Sequence, residues 1–391
     1  MATTNVSETI AWTQAAVDRI GLDKIYSIQP GNEADLYQDN YAGEGGTYLG
    51  PPSYQGTQTN ESYVGNYTKY VNAILDSVDG LPQEKFFTAF DVSAHQGDPV
   101  ATTWTFDLET TFGLGIDERG AIKEVSHHYY QNFAGGADDL EAGLMTLSVT
   151  HANLDRHARR IGWLRANRPD LPFVLNEVGN SLQPTNSYAY QNRLGSALWQ
   201  VDFYLYAMHL GVARIHYQQI MHAGYNLWLP VASAGLPAQV FANYYSQPFV
   251  ADFLGDSASA NTTVSKLDVG GGDAAPNLAA YAAFEAGAPK RLAIANLAYW
   301  NGTASSGTTR PAASVAITVP AGTSEVTVLR LSSPDGAGAT ADSITYGGSQ
   351  WTYESQGKEV KGVRDDSEQI AVKDGVATVS VPASEAVLVH L

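Results

Sequence analysis

The chain has 391 residues, 44% of them hydrophobic, and its 40 acidic against 22 basic residues give a net charge of −18. So acidic a surface argues against nucleic acid or an anionic membrane as a partner, because both are held by basic faces. Cysteine is absent, which excludes disulfides and thiolate chemistry. No run is apolar enough for a transmembrane span, and the length suits one large domain with a smaller one. From the N-terminus, Ser7–Ile20 has helical spacing (Ile10, Ala15, Val17, Ile20), followed by a strand at Lys24–Gln29. A long polar loop from Ala34 to about Tyr63 leads to a helix at Tyr67–Val78, and Lys85–Val92 reads as the second strand. A weakly patterned helix at Phe106–Phe112, a strand at Ile122–Tyr129 and a basic amphipathic helix at Leu154–Ala166 follow. Pro172–Asn176 is a fourth strand, Tyr188–Leu210 a strong helix, Val212–Tyr217 a fifth strand, and Ala238–Phe253 a last helical stretch. This alternation predicts parallel strands with crossover helices outside, over residues 1–257.

After about Ser257 the pattern changes. Arg291–Trp300, Ser314–Val319, Glu325–Leu331, Ala377–Val381 and Ala386–Leu391 are short runs rich in Val, Thr and Ile, separated by Gly, Ser and Pro turns. They predict an antiparallel β-sandwich over 258–391. The Gly-rich stretch Gly270–Asp273 reads as a turn, without the strand–helix context of a phosphate loop.

Two glutamates occupy matching places. Glu33 in KIYSIQPGNEADLY and Glu177 in PFVLNEVGNSL each follow an apolar run and an asparagine, Asn32 and Asn176. A carboxylate pair brought from the ends of two strands is what a retaining glycosidase uses: one protonates the leaving oxygen, the other attacks the sugar carbon. The strand ends of a (β/α) barrel converge on one face, so residues after each strand meet there. In such a site the preceding Asn amide can bind the sugar 2-OH. In the run His127-His128-Tyr129-Tyr130, alternation sends two of the four inward, and a His or Tyr there would aim the nucleophile. His128 and Tyr129 are candidates for substrate contact, and Tyr217, Tyr225 and Trp228 are candidates for a platform under a sugar ring. No Asp or Cys lies at ligand spacing from the His pair, so no metal or other cofactor is expected.

GNEADLY, LNEVGNS and the tail VSVPASEAVLVHL resemble the family 79 glycoside hydrolases of the fungal and bacterial β-glucuronidase type, the family of heparanase. The resemblance implies a (β/α)8 barrel followed by a β-sandwich and a retaining mechanism. Glu33, after the fourth strand, would be the acid/base, and Glu177, after the seventh, the nucleophile. It also implies a β-linked glucuronide or glycan as substrate. Gly179 stands in the loop where family members hold the uronate carboxylate, and Arg214 is a candidate to offset the acidic surface. A neutral-sugar glycosidase and a non-catalytic carbohydrate-binding fragment are the alternatives. A strand numbered fourth is the first in this chain, so the expectation is a barrel without roughly its first three strand–helix units. MATTNVSETI has neither the basic start nor the apolar core of a signal peptide. Sequons at Asn5, Asn60, Asn66, Asn261 and Asn301 nevertheless suit an extracellular glycoprotein. Together these imply an incomplete N-terminus.

Overall fold

A computed structural model describes residues 5–36, 58–94, 104–132, 140–181, 190–220, 226–233, 235–255, 262–270, 275–302 and 308–391. The chain divides into two compact units, each assembled from separate stretches. The first comprises Met1–Tyr129, His157–Val178 and Gly211–His216. The second comprises Tyr130–Arg156, Gly179–Leu210 and Tyr217–Leu391. The 257/258 boundary expected from composition lies outside the described residues, as do Tyr225, Asn261 and most of the loop after Ala34.

In the first unit, helix α1 (Val6–Ile20) starts on Asn5, whose side chain accepts from the Ser7 N–H. Helix α2 (Asn60–Ser77) begins seven residues before the expected Tyr67 because Thr59 and Ser62 form a reciprocal capping box. Its buried residues Tyr63, Val64, Tyr67, Tyr70, Val71, Ile74 and Leu75 recur at helical spacing, which makes one apolar stripe. Strands β1 (Phe87–Val92), β2 (Ile122–Asn132), β3 (Phe173–Ser181) and β4 (Val212–Tyr217) form a sheet in that order, with β1 and β2 parallel. The last residues of β2, β3 and β4 are counted with the second unit.

Two expectations change here. The strand read at Lys24–Gln29 contracts to a single parallel bridge between Ile28 and Phe87. The 3-10 turn Leu22–Lys24 takes the Ile25 N–H, and Pro30 has none to give, so little backbone is left for a ladder. Among the described residues the sheet is therefore four-stranded and open, and no described pairing joins β4 back to β1. The helix expected at Leu154–Ala166 is two helices, Leu147–Asp155 and Ala158–Asn167, broken at Arg156–His157.

The second unit is built on the helix Leu194–Leu210, apolar and buried nearly all round from Leu194 to Ala207. The stretch read as helical over Ala238–Phe253 starts instead with β6 (Gln239–Val240), which pairs with β5 (Trp228–Leu229), then passes through a 3-10 helix at Ala242–Tyr245 and becomes α-helical at Ser246–Leu254. Pro248 sets where the α-helix proper begins: lacking an N–H, it fits only a helix's first turn. Beyond it, β7 (Thr263–Leu267), β8 (Leu278–Glu285), β9 (Ala288–Asn296), β11 (Glu325–Ser332), β12 (Thr345–Tyr346), β13 (Ser367–Ala371) and β15 (Glu385–His390) make one seven-stranded sheet. The antiparallel ribbon of β10 (Ala312–Thr318) and β14 (Val376–Pro382) packs onto it through Ile317, Val379, Val381, Ile294, Val328 and Val387. The strands of the C-terminal region are thus paired antiparallel.

One polar cluster in this apolar unit carries a measurable load. Asp202 is fully buried on the long helix and accepts from the Tyr281 hydroxyl at 2.5 Å and from His151 Nε2 at 3.2 Å. Removing the carboxylate leaves the buried Tyr281 hydroxyl and His151 Nε2 with only their longer mutual contact at 3.4 Å. Asp202→Ala is therefore expected to cost about 3 kcal/mol, read as a lower urea midpoint at unchanged slope. An unchanged midpoint would mean the cluster is solvated. Among the described residues, no helix is long and apolar enough to cross a membrane.

Candidate active site

The site is built on β1 of the first unit. Ile28 exchanges backbone bonds with Phe86 and Thr88 at 3.0 and 2.9 Å, which anchors the incoming chain beside the strand. Five residues later the Glu33 N–H donates to the Asp91 carbonyl at 2.9 Å, and the Glu33 carbonyl accepts from Leu36 at 2.9 Å. Between these anchors Glu33 adopts φ 47°, a left-handed conformation that a non-glycine residue holds only when its surroundings fix it.

A bulge in β1 brings in a third carboxylate. Ala89 pairs with Val125 and Val92 with His127, so three steps on β1 oppose two on β2. Phe90 and Asp91 take up the extra length at φ 77° and 47°. The Phe90 N–H donates to the Tyr63 hydroxyl at 2.7 Å, and its ring stacks on Tyr63 and Phe106. That packing holds the distortion in place. The buried Asp91 then receives three donors on Oδ1: His128 Nε2 at 2.9 Å, Ser126 Oγ at 3.1 Å and Asn176 Nδ2 at 2.7 Å.

His128 is the centre of the arrangement. Its Nδ1 donates to Glu33 Oε1 at 2.8 Å and stands 3.7 Å from Glu177 Oε2, while Nε2 donates to Asp91. The ring is 1% exposed, and each catalytic candidate is 25% exposed, so only the carboxylates face outward. Burial works against a charged ring, but the hydrogen bonds and charges of Asp91 and Glu33 together outweigh it. The His128 pKa is held well above its usual value, so the ring is an imidazolium. Its neighbour His127 goes the other way. Burial first, then the His157 and Arg160 charges, push it well below the usual value. Neutral His127 donates Nδ1–H to the His128 carbonyl at 2.7 Å and meets the His157 ring edge-on at 4.6 Å. Strand alternation thus gives the pair two environments. Beneath Glu33, the buried Asp35 accepts from Ser93 N–H and Oγ at 2.9 and 2.7 Å, and burial lifts its pKa to about 6.

The candidates distribute as follows. Glu33, His128, Asn176 and Glu177 come together; Asn32 is exposed in the turn just before Glu33. Asn176 gives its amide hydrogens to Asp91 and to Gln29 Oε1 at 2.7 Å, so its NH2 is already engaged. Tyr129 is buried and, one residue past His128, shares the His127 face by alternation. Arg214 is committed to Glu124 Oε2 at 2.8 Å and the Tyr26 hydroxyl at 2.7 Å, with its guanidinium over the Tyr26 ring. It is therefore not a free partner for an anionic sugar.

Gly179, Tyr217 and Trp228 belong to the second unit. Gly179 gives room to an aromatic ring, since a Cβ there would lie 2.5 Å from Tyr130 Cε1. Tyr217 accepts from Asn243 Nδ2 at 3.2 Å, and Trp228, 42% exposed, meets Tyr244 edge-on. Sequence reading missed Asp91, Ser126 and Gln29. An aspartate closing the apolar run KFFTAFDV was the available signal for the first.

Glu33, His128 and Glu177 each offer a ligand atom, all within 4.8 Å of one another, a spacing that a divalent cation can use. His128 would first have to give up the proton it donates to Glu33.

Residues 280–388 match the model of the glycosyl hydrolase family 79 C-terminal beta domain. A beta-glucuronidase of Neurospora crassa is 27% identical over 368 residues, covering 88% of this chain and 64% of that protein. One of Aspergillus niger is 28% identical over 382 residues, covering 92% and 66%. The chain thus spans about two thirds of the length of these relatives. A 4-O-alpha-L-rhamnosyl-beta-D-glucuronidase from Fusarium oxysporum 12S, solved with Rha-GlcA, superposes with a TM-score of 0.76 at 19% identity. That superposition covers 100% of this chain and 75% of the other. CelM2, a bifunctional glucanase-xylanase, follows at 0.55 and 12%, covering 99% and 69%.

Proposed function

We propose that this chain, a relative of the family 79 glycoside hydrolases, carries the residues that cleave a β-linked glucuronide with retention of configuration. The observation that carries the reading is the meeting of Glu33 and Glu177 at His128, with one oxygen from each within 4.8 Å. Retaining enzymes hold their carboxyls about 5–5.5 Å apart, whereas inverting ones need roughly 6.5–9.5 Å to admit a water. So short a separation favours direct attack by one carboxylate.

In the first step Glu177 attacks the anomeric carbon while Glu33 protonates the glycosidic oxygen, and the aglycone leaves as an alcohol. In the second, Glu33 takes a proton from water, and the resulting hydroxide displaces Glu177 from the sugar. The hydrogen bond from His128 Nδ1 to Glu33 Oε1 is the line along which Glu33 is loaded for the first step. Transfer of that proton leaves a neutral imidazole and an acid ready to donate.

The test is an aryl β-glucuronide followed by proton NMR from mixing. A β-glucuronate product that later mutarotates is expected; α-glucuronate appearing first would sink the retaining reading. The commitment of Arg214 to Glu124 favours a second reading, a neutral β-glycoside as substrate. Faster turnover of aryl β-glucoside than of the glucuronide would decide for it. Binding of both without turnover would leave a carbohydrate-binding fragment.

A further inference from the structure

The second unit contains a groove whose described lining includes neither Glu33 nor Glu177. It has a volume of about 660 Å³ and is lined by Trp228, Tyr244, Tyr353, Gln239, Gln356 and Glu354, among others. A second cavity of about 350 Å³, reaching Trp351 and Asp342, shares Gln239, Val240, Thr352, Tyr353 and Glu354 with it. The two form one elongated depression hinged on Tyr353. These sizes lie in the range of small-ligand sites, roughly 300–1,000 Å³.

Two large aromatic faces are open to solvent here, Trp228 at 42% and Tyr353 at 49%. Both are held in place. Gln219 clamps the backbone around Trp228, donating Nε2 to its carbonyl at 2.9 Å and accepting from Leu227 N–H at 2.8 Å. Behind it, Tyr244 packs edge-on at 6.3 Å. Tyr353 rides on a closed turn in which Thr352 and Ser355 exchange hydrogen bonds at 3.1 Å. The Gln356 and Gly357 N–H groups close back onto Tyr353 and Thr352, and both residues hold positive φ, 56° and 71°. A rigid loop that exposes an aromatic ring has already met the ordering cost of binding.

The chemistry of the lining selects its ligand. Flat rings offer an apolar surface to the C–H face of a pyranose, and the Gln239 and Gln356 amides offer donors and acceptors to hydroxyls. The described lining residues include the carboxylates Glu354 and Asp342 and neither lysine nor arginine. An anionic sugar would be repelled there, in an already acidic protein. We propose that this groove is a saccharide-binding site for a neutral oligosaccharide, with sugar rings stacked on Trp228 and Tyr353, and that it binds independently of Glu33 and Glu177. It would hold a neutral stretch of glycan.

The test is calorimetric titration of the protein with cellohexaose, xylohexaose and hexagalacturonate. At least one neutral hexamer is expected to bind, and hexagalacturonate is expected not to. Tyr353→Ala should weaken the neutral hexamer about tenfold while aryl-glycoside turnover stays at the wild-type rate. Tyr353 is half exposed, so this variant folds, and an unchanged thermal midpoint checks that. Glu354→Gln should narrow the gap between neutral and acidic hexamers. Three outcomes overturn the proposal: no binding of either neutral hexamer, undiminished binding by Tyr353→Ala, or a parallel loss of aryl-glycoside turnover in that variant. The last would make the groove part of the catalytic cleft. Because the readout is binding, loss of the glucuronidase reading would leave it standing.

Discussion

Glu177→Gln is expected to lower kcat/KM for an aryl β-glucuronide at least roughly a thousandfold, because an amide cannot form the covalent intermediate. The substitution preserves shape and keeps an acceptor near His128 Nδ1, so the fold is not at stake. Azide then separates the two carboxylates. In Glu177→Gln the cleft accepts azide where the nucleophile acted, and the product is the α-glycosyl azide. In Glu33→Gln, an activated aryl leaving group departs without acid help. The glycosyl-enzyme forms, and azide attacks it to give the β-glycosyl azide. Proton NMR of the azide products reads both results. Exchanged anomers would exchange the two roles, and wild-type rates in both variants would remove the pair from catalysis altogether.

How much of this was legible in the sequence follows from what each signal encodes. The two Asn-Glu pairs after apolar runs marked the carboxylates that meet at His128, although Glu177 lies within β3 rather than past its end and the run before Glu33 pairs through one bridge. The short Val- and Thr-rich runs found the antiparallel sheet, because period-2 burial is a local property. Asp91 was missed because its position depends on a bulge. The residues that force the bulge, Tyr63 and Phe106, lie far from it in sequence. The strand at Lys24–Gln29 was over-read for a related reason: its apolar pattern is sound, but the turn before it and Pro30 after it limit the pairing. Nor does the run HHYY say which histidine is charged. Only the neighbours do, Asp91 and Glu33 for His128, and His157 and Arg160 for His127.

Asp91→Asn is the second large effect, and it acts through His128 without any contact to the sugar. The carboxylate supplies a charge and an acceptor to the Nε2 side of the ring; the amide supplies at most the acceptor. With Asp91 in place the imidazolium persists well above pH 6.5, so the proton that loads Glu33 is available across the neutral range. Without it, burial dominates and the ring loses its proton at lower pH. The alkaline limb of kcat/KM is therefore expected to move to lower pH, with a fall of about 10–100-fold at pH 7 and less in acid. Stability has the same sign. A histidine whose folded pKa is raised stabilises fully below about pH 6.5 and loses that contribution as pH climbs through the folded value. In Asp91→Asn that loss begins at lower pH. Ser126→Ala is the control. It removes one hydrogen bond from the same oxygen and leaves the charge, so it should weaken the fold slightly without moving the pH profile. If Asp91→Asn lowered the melting temperature while its pH profile overlaid the wild type, Asp91 would be a structural residue and His128 would not be the source of the proton.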